Sequence, residues 1–151
     1  MPSILIVDST VYIALDRIGR LELLRQCASE VWMPPAVQGE IGPSVPAWVR
    51  VVPVADQTRV RVLQAFLGKG EAEAIALGLE HADALLVLDD LDARKMASHL
   101  GLRFTGTLGL VLAAKRLGLV DSVRPIVDDL EAHGFRMDQA LKSRVLDLSG
   151  E

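Results

Sequence analysis

Short apolar runs alternate with longer amphipathic segments along the whole chain. The first run spans Ile4 to Asp8 and is wholly apolar until its last residue. A second precedes Pro34, an alternating run spans Val49 to Val54, and another lies at residues 84–88. A short segment at 102–104 is apolar apart from Arg103. Continuous short apolar runs are typical of strands buried on both faces of a parallel sheet.

Segments with helical periodicity separate these runs. The pattern predicts helices at about 9–28 with a break near Gly19, at Pro34–Gly42, and at about 57–67, 71–82, 91–101, 105–118, 121–133 and 138–146. Strands that alternate with helices pack as a sheet covered on both faces. We therefore predict an α/β fold, a three-layer α/β/α sandwich with a mostly parallel sheet. We expect residues 1–151 to form one domain.

Composition narrows the class of protein. Half of the residues are apolar, and the one cysteine, Cys27, excludes a disulfide framework and a cysteine metal cluster. The start of the chain has no basic residues, and no apolar run approaches the ~20 residues of a membrane helix. We therefore expect a cytoplasmic protein with no membrane partner. The net charge of −4 argues against a basic nucleic-acid coat but not against a nuclease whose acids hold a metal.

Acidic residues directly follow two of the predicted apolar strands. Asp8 ends the first strand, and "LLVLDDLDAR" runs directly into Asp89, Asp90 and Asp92. Ligands of parallel sheets bind beyond the carboxyl ends of the strands, so Asp8, Asp89 and Thr105 are expected at one edge. A pair of like charges ~4 Å apart costs about 4 kcal/mol at an effective dielectric of 20. Asp90 or Asp92 can cap the next helix, which leaves Asp89 as the preferred site residue.

Two further acids come from helices. Glu40 lies near the end of a short helix, and Glu71 and Glu73 lie in the first turn of another. Residues two apart point to nearly opposite sides of a helix. Glu71 is nearer the apolar stripe and is preferred, whereas Glu73 groups with Leu77 and Glu80.

Four carboxylates together would form an all-oxygen metal site: Asp8, Glu40, Glu71 and Asp89. Such a donor set suits Mg²⁺ or Mn²⁺ rather than Zn²⁺. A bound divalent ion would offset the repulsion among the acids, activate water and stabilise charge on a phosphodiester. Each acid taken alone has a simpler explanation, as a helix cap or a solvated surface group.

Three stretches resemble a known family: "IVDSTVYIAL", "PPAVQGEI" and the segment from "LGKGEAEAIALGLE" to "TGTLGLVLAAKRLGL". They are similar to a PIN-domain protein, in the branch of unknown function close to the VapC-type toxin ribonucleases. The resemblance implies cleavage of RNA by water activated on Mg²⁺ or Mn²⁺. Asp8, Glu40 and Asp89 match three of the metal-binding positions, and Glu71 or Glu73 stands where the toxins usually have aspartate.

The resemblance also implies supporting residues and partners. Ser9 or Thr10 matches the small hydroxyl residue after the first acid, Asp90 competes with Asp89, and Arg94 is expected to contact phosphate or an acid. Toxins of this type often form homodimers and are inhibited by a small antitoxin protein whose tail blocks the site.

Other interpretations of the acids remain open. A receiver-like phosphoacceptor domain also places aspartates at strand ends, although it expects a lysine directly after a late strand, where this chain has Lys115 inside a helix. A PIN fold used as a binding or scaffold module, with little or no nuclease activity, is a second alternative. A plain α/β domain whose acids are all caps is a third.

Several polar residues near the later strands complete the candidate set. We expect Thr107 to cap its helix, and Thr105 or the adjacent backbone N–H groups to hold a water or a phosphate. Basic residues late in the chain could line the rim of the acid site and neutralise phosphates: Arg94, Lys95, Arg103, Lys115 and Arg116.

Overall fold

A five-stranded parallel sheet forms the centre of the computed structural model, which describes residues 2–151. The strands are β1 (Ile4–Val7), β2 (Glu30–Met33), β3 (Val49–Val51), β4 (Leu85–Val87) and β5 (Phe104–Thr105). Their order is β3-β2-β1-β4-β5, and every neighbouring pair is parallel. After β1 the chain forms β2 and β3 on one side of that strand, and then β4 and β5 on the other side. The boundary between β1 and β4 is therefore the topological switch point, where such sheets bind ligands.

Helices cover both faces of this sheet. Within the described part of the chain they are α1 (Ser9–Arg17), α2 (Glu22–Gln26), α3 (Pro35–Ile41), α4 (Gln57–Leu63), α5 (Lys69–Glu80), α6 (Leu91–His99), α7 (Thr107–Arg116), α8 (Arg124–Ala132) and α9 (Gln139–Ser149). None of the helices within residues 2–151 is long and apolar enough to cross a membrane.

Alternate residues of the central strand, β1, pack into two separate hydrophobic cores. Leu5 and Val7 pack on one face with side chains of α1, α2, α7 and α8. Ile6 packs on the other face with side chains of α4, α5 and α6. All three strand residues are fully buried. This arrangement confirms the three-layer α/β/α prediction.

Several predicted boundaries differ from the structure. Among the helices, α4 ends at Leu63 rather than near residue 67, α8 begins at Arg124 rather than near 121, and α9 ends at Ser149 rather than near 146. β3 ends at Val51 rather than Val54, because its partner strand β2 ends at Met33 and the chain enters α3 at Pro35. β5 spans Phe104–Thr105 rather than 102–104. The helix predicted from residue 71 begins earlier, since α5 starts at Lys69 and includes Gly70, with Gly68 as its extended N-cap.

Candidate functional site

Asp8 is both a helix cap and a buried acid at the switch point. Its backbone N–H donates to the carbonyl of Val87 at 3.2 Å, and its carboxylate accepts the N–H of Ser9 at 2.9 Å at the start of α1. The residue is only 2% exposed. Burial raises the pKa of Asp8 to about 7. Nearby acids raise it further, whereas the Ser9 N–H lowers it.

The acids that act on Asp8 come from three other elements. The charges that raise its pKa belong to Glu71, Glu40 and Asp89. Together with Asp8 they form a set that we call the acid cluster. Two of them follow adjacent strands, β1 and β4, and two lie on helices α3 and α5. The structure thus brings together the four residues selected from the sequence.

Glu40 reaches this cluster through Ser9. The Ser9 hydroxyl donates to the Glu40 carboxylate, and Ser9 itself is buried. Glu40 also lies against the backbone of Gly70 on α5, where its carboxylate fills the space that a Cβ would occupy. Ser9 therefore joins Asp8 and Glu40, whereas the neighbouring Thr10 is exposed and lines a cavity.

Glu71 and Glu73 have different environments, although both belong to the first turns of α5. Glu71 is half-buried, and burial raises its pKa, with further contributions from the charges of Asp90, Glu40 and Asp92. Glu73 is 5% exposed, and its carboxylate accepts the N–H of Ala36 at 3.2 Å in the first turn of α3. Glu71 thus faces the other acids, whereas Glu73 supports a neighbouring helix.

Asp89 is held by the start of α7. Its carboxylate accepts the N–H of Thr107 at 2.8 Å and the hydroxyl of the same residue at 2.5 Å. Asp90 caps α6 by accepting the N–H of Ala93 at 3.0 Å, and Asp92 is exposed in the first turn of that helix.

The prediction that Thr107 caps its helix is wrong. Gly106 is the N-cap, with an extended backbone, and Thr107 is the first helical residue. The N–H of Thr107 is one of the unpaired donors of a helix start, and the Asp89 carboxylate satisfies it from another segment.

Glycines make room for three polar side chains of the site, a feature that sequence reasoning missed. A Cβ at Gly106 would lie 2.7 Å from the Asp89 carboxylate, and one at Gly109 would collide with the Thr105 hydroxyl. Gly70 makes the corresponding contact with Glu40. A glycine inside a helix costs about 1 kcal/mol relative to alanine. The glycines inside helices, Gly70 in α5 and Gly109 in α7, were therefore the features of the sequence that could have indicated these close contacts.

A cavity of about 830 Å³ lies beside the acid cluster. Glu71, Asp89 and Asp90 line it, together with Thr10, Thr105 and Arg94. The Arg94 guanidinium lies 5.4 Å from the centre of the Phe104 ring. This contact fixes the arginine beside the acids.

The expected basic rim is mostly wrong. Of the five predicted residues, only Arg94 lines the cavity. Arg103 donates to the carbonyl of Asp83, Lys115 pairs with Glu151 at 3.0 Å, and Arg116 lines a different pocket. Sequence proximity grouped them, but they lie on α6, on α7 and in the turn before β5, and their side chains have different partners.

The donor set fits a divalent cation by its chemistry. It consists only of carboxylate oxygens, the donors that Mg²⁺ and Mn²⁺ prefer. Burial raises the pKa of Asp8, and the charges of the other three acids raise it further. Among residues 2–151, however, no three acidic, histidine or cysteine side chains are arranged to hold an ion. The carboxylates of Asp8, Glu40 and Asp89 are turned toward protein donors. Ion binding therefore requires side chains to reorient.

Comparison with known families supports the resemblance seen in the motifs. The family model DUF3368, a PIN domain, matches residues 4–151, which include all five strands and the whole acid cluster. No curated protein matches the chain. PIN domains generally have a nuclease-like fold and use divalent metals. The chain therefore belongs to the PIN-domain family, in a branch of unknown function.

Proposed function

We propose that this protein is a divalent-metal-dependent endoribonuclease, the toxin of a toxin–antitoxin pair. The observation that carries the proposal is the acid cluster, in which Glu40, Glu71 and Asp89 act on the buried Asp8 at the switch point of a PIN fold. Burial beside three other acids destabilises the ionised form of an aspartate, unless a cation or a proton neutralises its charge.

The residues in and around the acid cluster have different roles in the proposed reaction. Asp8, Glu40, Glu71 and Asp89 would hold Mg²⁺ or Mn²⁺, which activates water and stabilises charge on the phosphodiester when bound. Ser9 positions the Glu40 carboxylate, and Thr107 positions that of Asp89. Arg94 supplies positive charge for a phosphate oxygen at the same cavity.

Cleavage of a pool of structured RNAs tests this function. The assay compares Mn²⁺, Mg²⁺ and chelator with wild type, Asp8→Asn and Asp89→Asn. An exposed aspartate that does not line the cavity provides the control, Asp121→Asn. We expect metal-dependent cleavage that both site substitutions reduce by at least about 100-fold, whereas the control retains it. Cleavage that survives chelator, or both substitutions, would contradict the proposal.

A PIN-fold binding or scaffold module is the second candidate. The observation in its favour is that no metal-ready group of three side chains exists among the described residues. Under this alternative, wild type binds Mn²⁺ or RNA without cleaving the pool. The receiver-like alternative is weaker, because Lys115 bonds the Ser149 carbonyl at 2.7 Å and the Glu151 carboxylate instead of reaching the aspartates.

The same proposal predicts the partners of this protein. We propose a cytoplasmic homodimer that a small antitoxin protein inhibits. Large exposed apolar side chains support an association surface, with Phe66 68% exposed and Val62, four residues earlier, 61% exposed. Light scattering on the purified chain tests the dimer, and a single species of about 16 kDa, the mass of one chain, would exclude it.

A further inference from the structure

A second cavity, of about 370 Å³, lies between α7 and the strands β1, β4 and β5. We call it the α7 pocket. No residue of the acid cluster lines it, and it shares only Thr105 and Gly109 with the larger cavity. The Thr105 hydroxyl packs against Gly109, where a Cβ would collide with it. The α7 pocket is therefore a separate space on the other side of this contact.

The buried part of the α7 pocket is apolar. Leu5 on β1, Cys27 at the end of α2 and Leu110 on α7 line it, and each is at most 2% exposed. Leu85 and Ala113, which are half-buried, also line it. An apolar space of this kind favours a hydrocarbon ligand, because the burial of each methylene group raises the affinity about fourfold.

A single cation lies where the α7 pocket opens to solvent. Arg116, in the last turn of α7, lines the pocket and is exposed, as is the adjacent Leu117. Within residues 2–151, Arg116 forms no salt bridge and no side-chain hydrogen bond. None of the described acidic residues lines the pocket. A complementary ligand therefore has a hydrocarbon part for the buried end and a negative charge for the exposed end.

We propose that the α7 pocket binds a free medium-chain carboxylic acid, with its carboxylate at Arg116 and its hydrocarbon chain among the buried apolar residues. Small-molecule sites have volumes of about 300–1,000 Å³ and are mostly apolar, with a few polar groups that fix the orientation of the ligand. A water molecule occupies about 30 Å³ of liquid, so the pocket accommodates roughly twelve groups of that size. The twelve non-hydrogen atoms of decanoate match this capacity. The proposal does not depend on the nuclease function proposed above.

Isothermal titration calorimetry on the whole chain at pH 8 and low salt tests the proposal. The probes are hexanoate, octanoate and decanoate. Decanol, which has the same chain without the charge, and decyltrimethylammonium, which has the opposite charge, are matched controls. Arg116→Gln removes the cation, and Ala113→Leu fills part of the pocket. Arg144→Gln removes an exposed arginine from the larger cavity and is the control variant.

We expect one decanoate to bind per chain, with an affinity that rises about fourfold per methylene from hexanoate to decanoate. Arg116→Gln should weaken decanoate binding about fivefold, as for an exposed ion pair, and leave decanol binding unchanged. Ala113→Leu should weaken the binding of both ligands at least about tenfold, because the larger side chain occupies space that the ligand needs. Arg144→Gln should bind decanoate as wild type does.

Failure of wild type to bind decanoate would overturn the proposal. A loss in Arg144→Gln equal to or greater than that in Arg116→Gln would also overturn it, because the acid would then lie in the larger cavity. Equal affinities for decanoate, decanol and decyltrimethylammonium would exclude a site for an acid. Tighter binding of acetyl-trileucine amide than of decanoate would assign the pocket to a protein segment instead. If Ala113→Leu fails to fold, Arg116→Gln still decides the question, because its side chain is exposed.

Discussion

Asp8 is a buried acid whose ionisation affects the stability of the fold. Its carboxylate is buried at the end of the central strand and caps α1, so it has a structural role as well as a place in the acid cluster. A raised pKa means that the folded protein binds this proton more tightly than the unfolded chain does. The stability of the metal-free protein therefore depends on pH.

Substitution of Asp8 by asparagine should stabilise the metal-free protein most at high pH. The stabilising effect of the proton is complete below pH 3.8 and is lost as the pH rises through about 7. The asparagine side chain cannot ionise, and its amide oxygen still accepts the Ser9 N–H. The free energy of unfolding should rise by up to a few kcal/mol at pH 8 and by less at pH 5. Urea denaturation in chelator measures both values, and an equal gain at the two pH values would contradict this explanation.

Gly70→Ala should reduce activity more than stability. The new Cβ would meet the Glu40 carboxylate and push it from Ser9, but the carboxylate is the flexible end of an exposed side chain. Alanine also favours the helix by about 1 kcal/mol. We expect at least about tenfold slower RNA cleavage with an unfolding free energy within about 1 kcal/mol of wild type.

Gly39→Ala is the matched control for that substitution. Gly39 is a helical glycine on α3, and a Cβ there meets nothing within 4 Å. It should retain wild-type cleavage. Equal losses in both variants would mean that Gly70 has no special relation to Glu40.

At the scale of elements, α3 and α5 act as a pair. α3 carries Glu40 and α5 carries Glu71, and the buried Glu73 of α5 bonds the N–H of Ala36 in the first turn of α3. A carboxylate at a helix N-terminus also interacts favourably with the helix dipole. The pairing of these helices therefore sets where two of the four acids lie.

The two glutamates of α5 should respond to substitution in opposite ways. Glu73→Ala leaves the Ala36 N–H without its partner and should lower the unfolding free energy by about 1–3 kcal/mol. Glu73→Gln, whose amide oxygen can still accept, should cost less. Glu71→Gln should abolish metal-dependent cleavage without destabilising the protein. Urea denaturation and the RNA assay separate the cases, and a destabilised Glu71→Gln with an intact Glu73→Ala would reverse the assignment.

At the scale of the whole molecule, Glu151 holds the last helices together. Its carboxylate accepts the Ser122 hydroxyl and the N–H of Val123 at 2.7 Å, and pairs with Lys115 at 3.0 Å. These contacts join the region after α9 to the start of α8 and the end of α7. They also hold the pKa of Glu151 well below its usual range.

Glu151→Gln should lower the thermal midpoint, and more so at pH 7 than at pH 4. A depressed pKa stabilises the fold above the unfolded value of 4.5, and that contribution is lost as the pH falls. Differential scanning calorimetry at both pH values measures the effect. Glu22→Gln, at an exposed ion pair on α2, is the control. A loss independent of pH would indicate that the carboxylate charge is not involved.

The sequence revealed the local part of this architecture. Apolar runs predict strands, because burial on both faces leaves no polar position, and acids that follow such runs must meet at the edge of a parallel sheet. The partners of those acids depend on packing between distant segments. Thr107 was misassigned because its donor role is visible only once β5 lies beside β4. The positions of Arg17 and Arg144 beside one cavity were missed for the same reason, because distant segments form that cavity only in the folded chain.

The anchoring of Asp89 by Thr107 has a consequence for how the protein is made. All four carboxylates have been added by the time a growing chain reaches residue 89, yet the donor that fixes the last of them comes 18 residues later. The acid cluster therefore cannot reach its final arrangement during synthesis until Thr107 has been added to the growing chain.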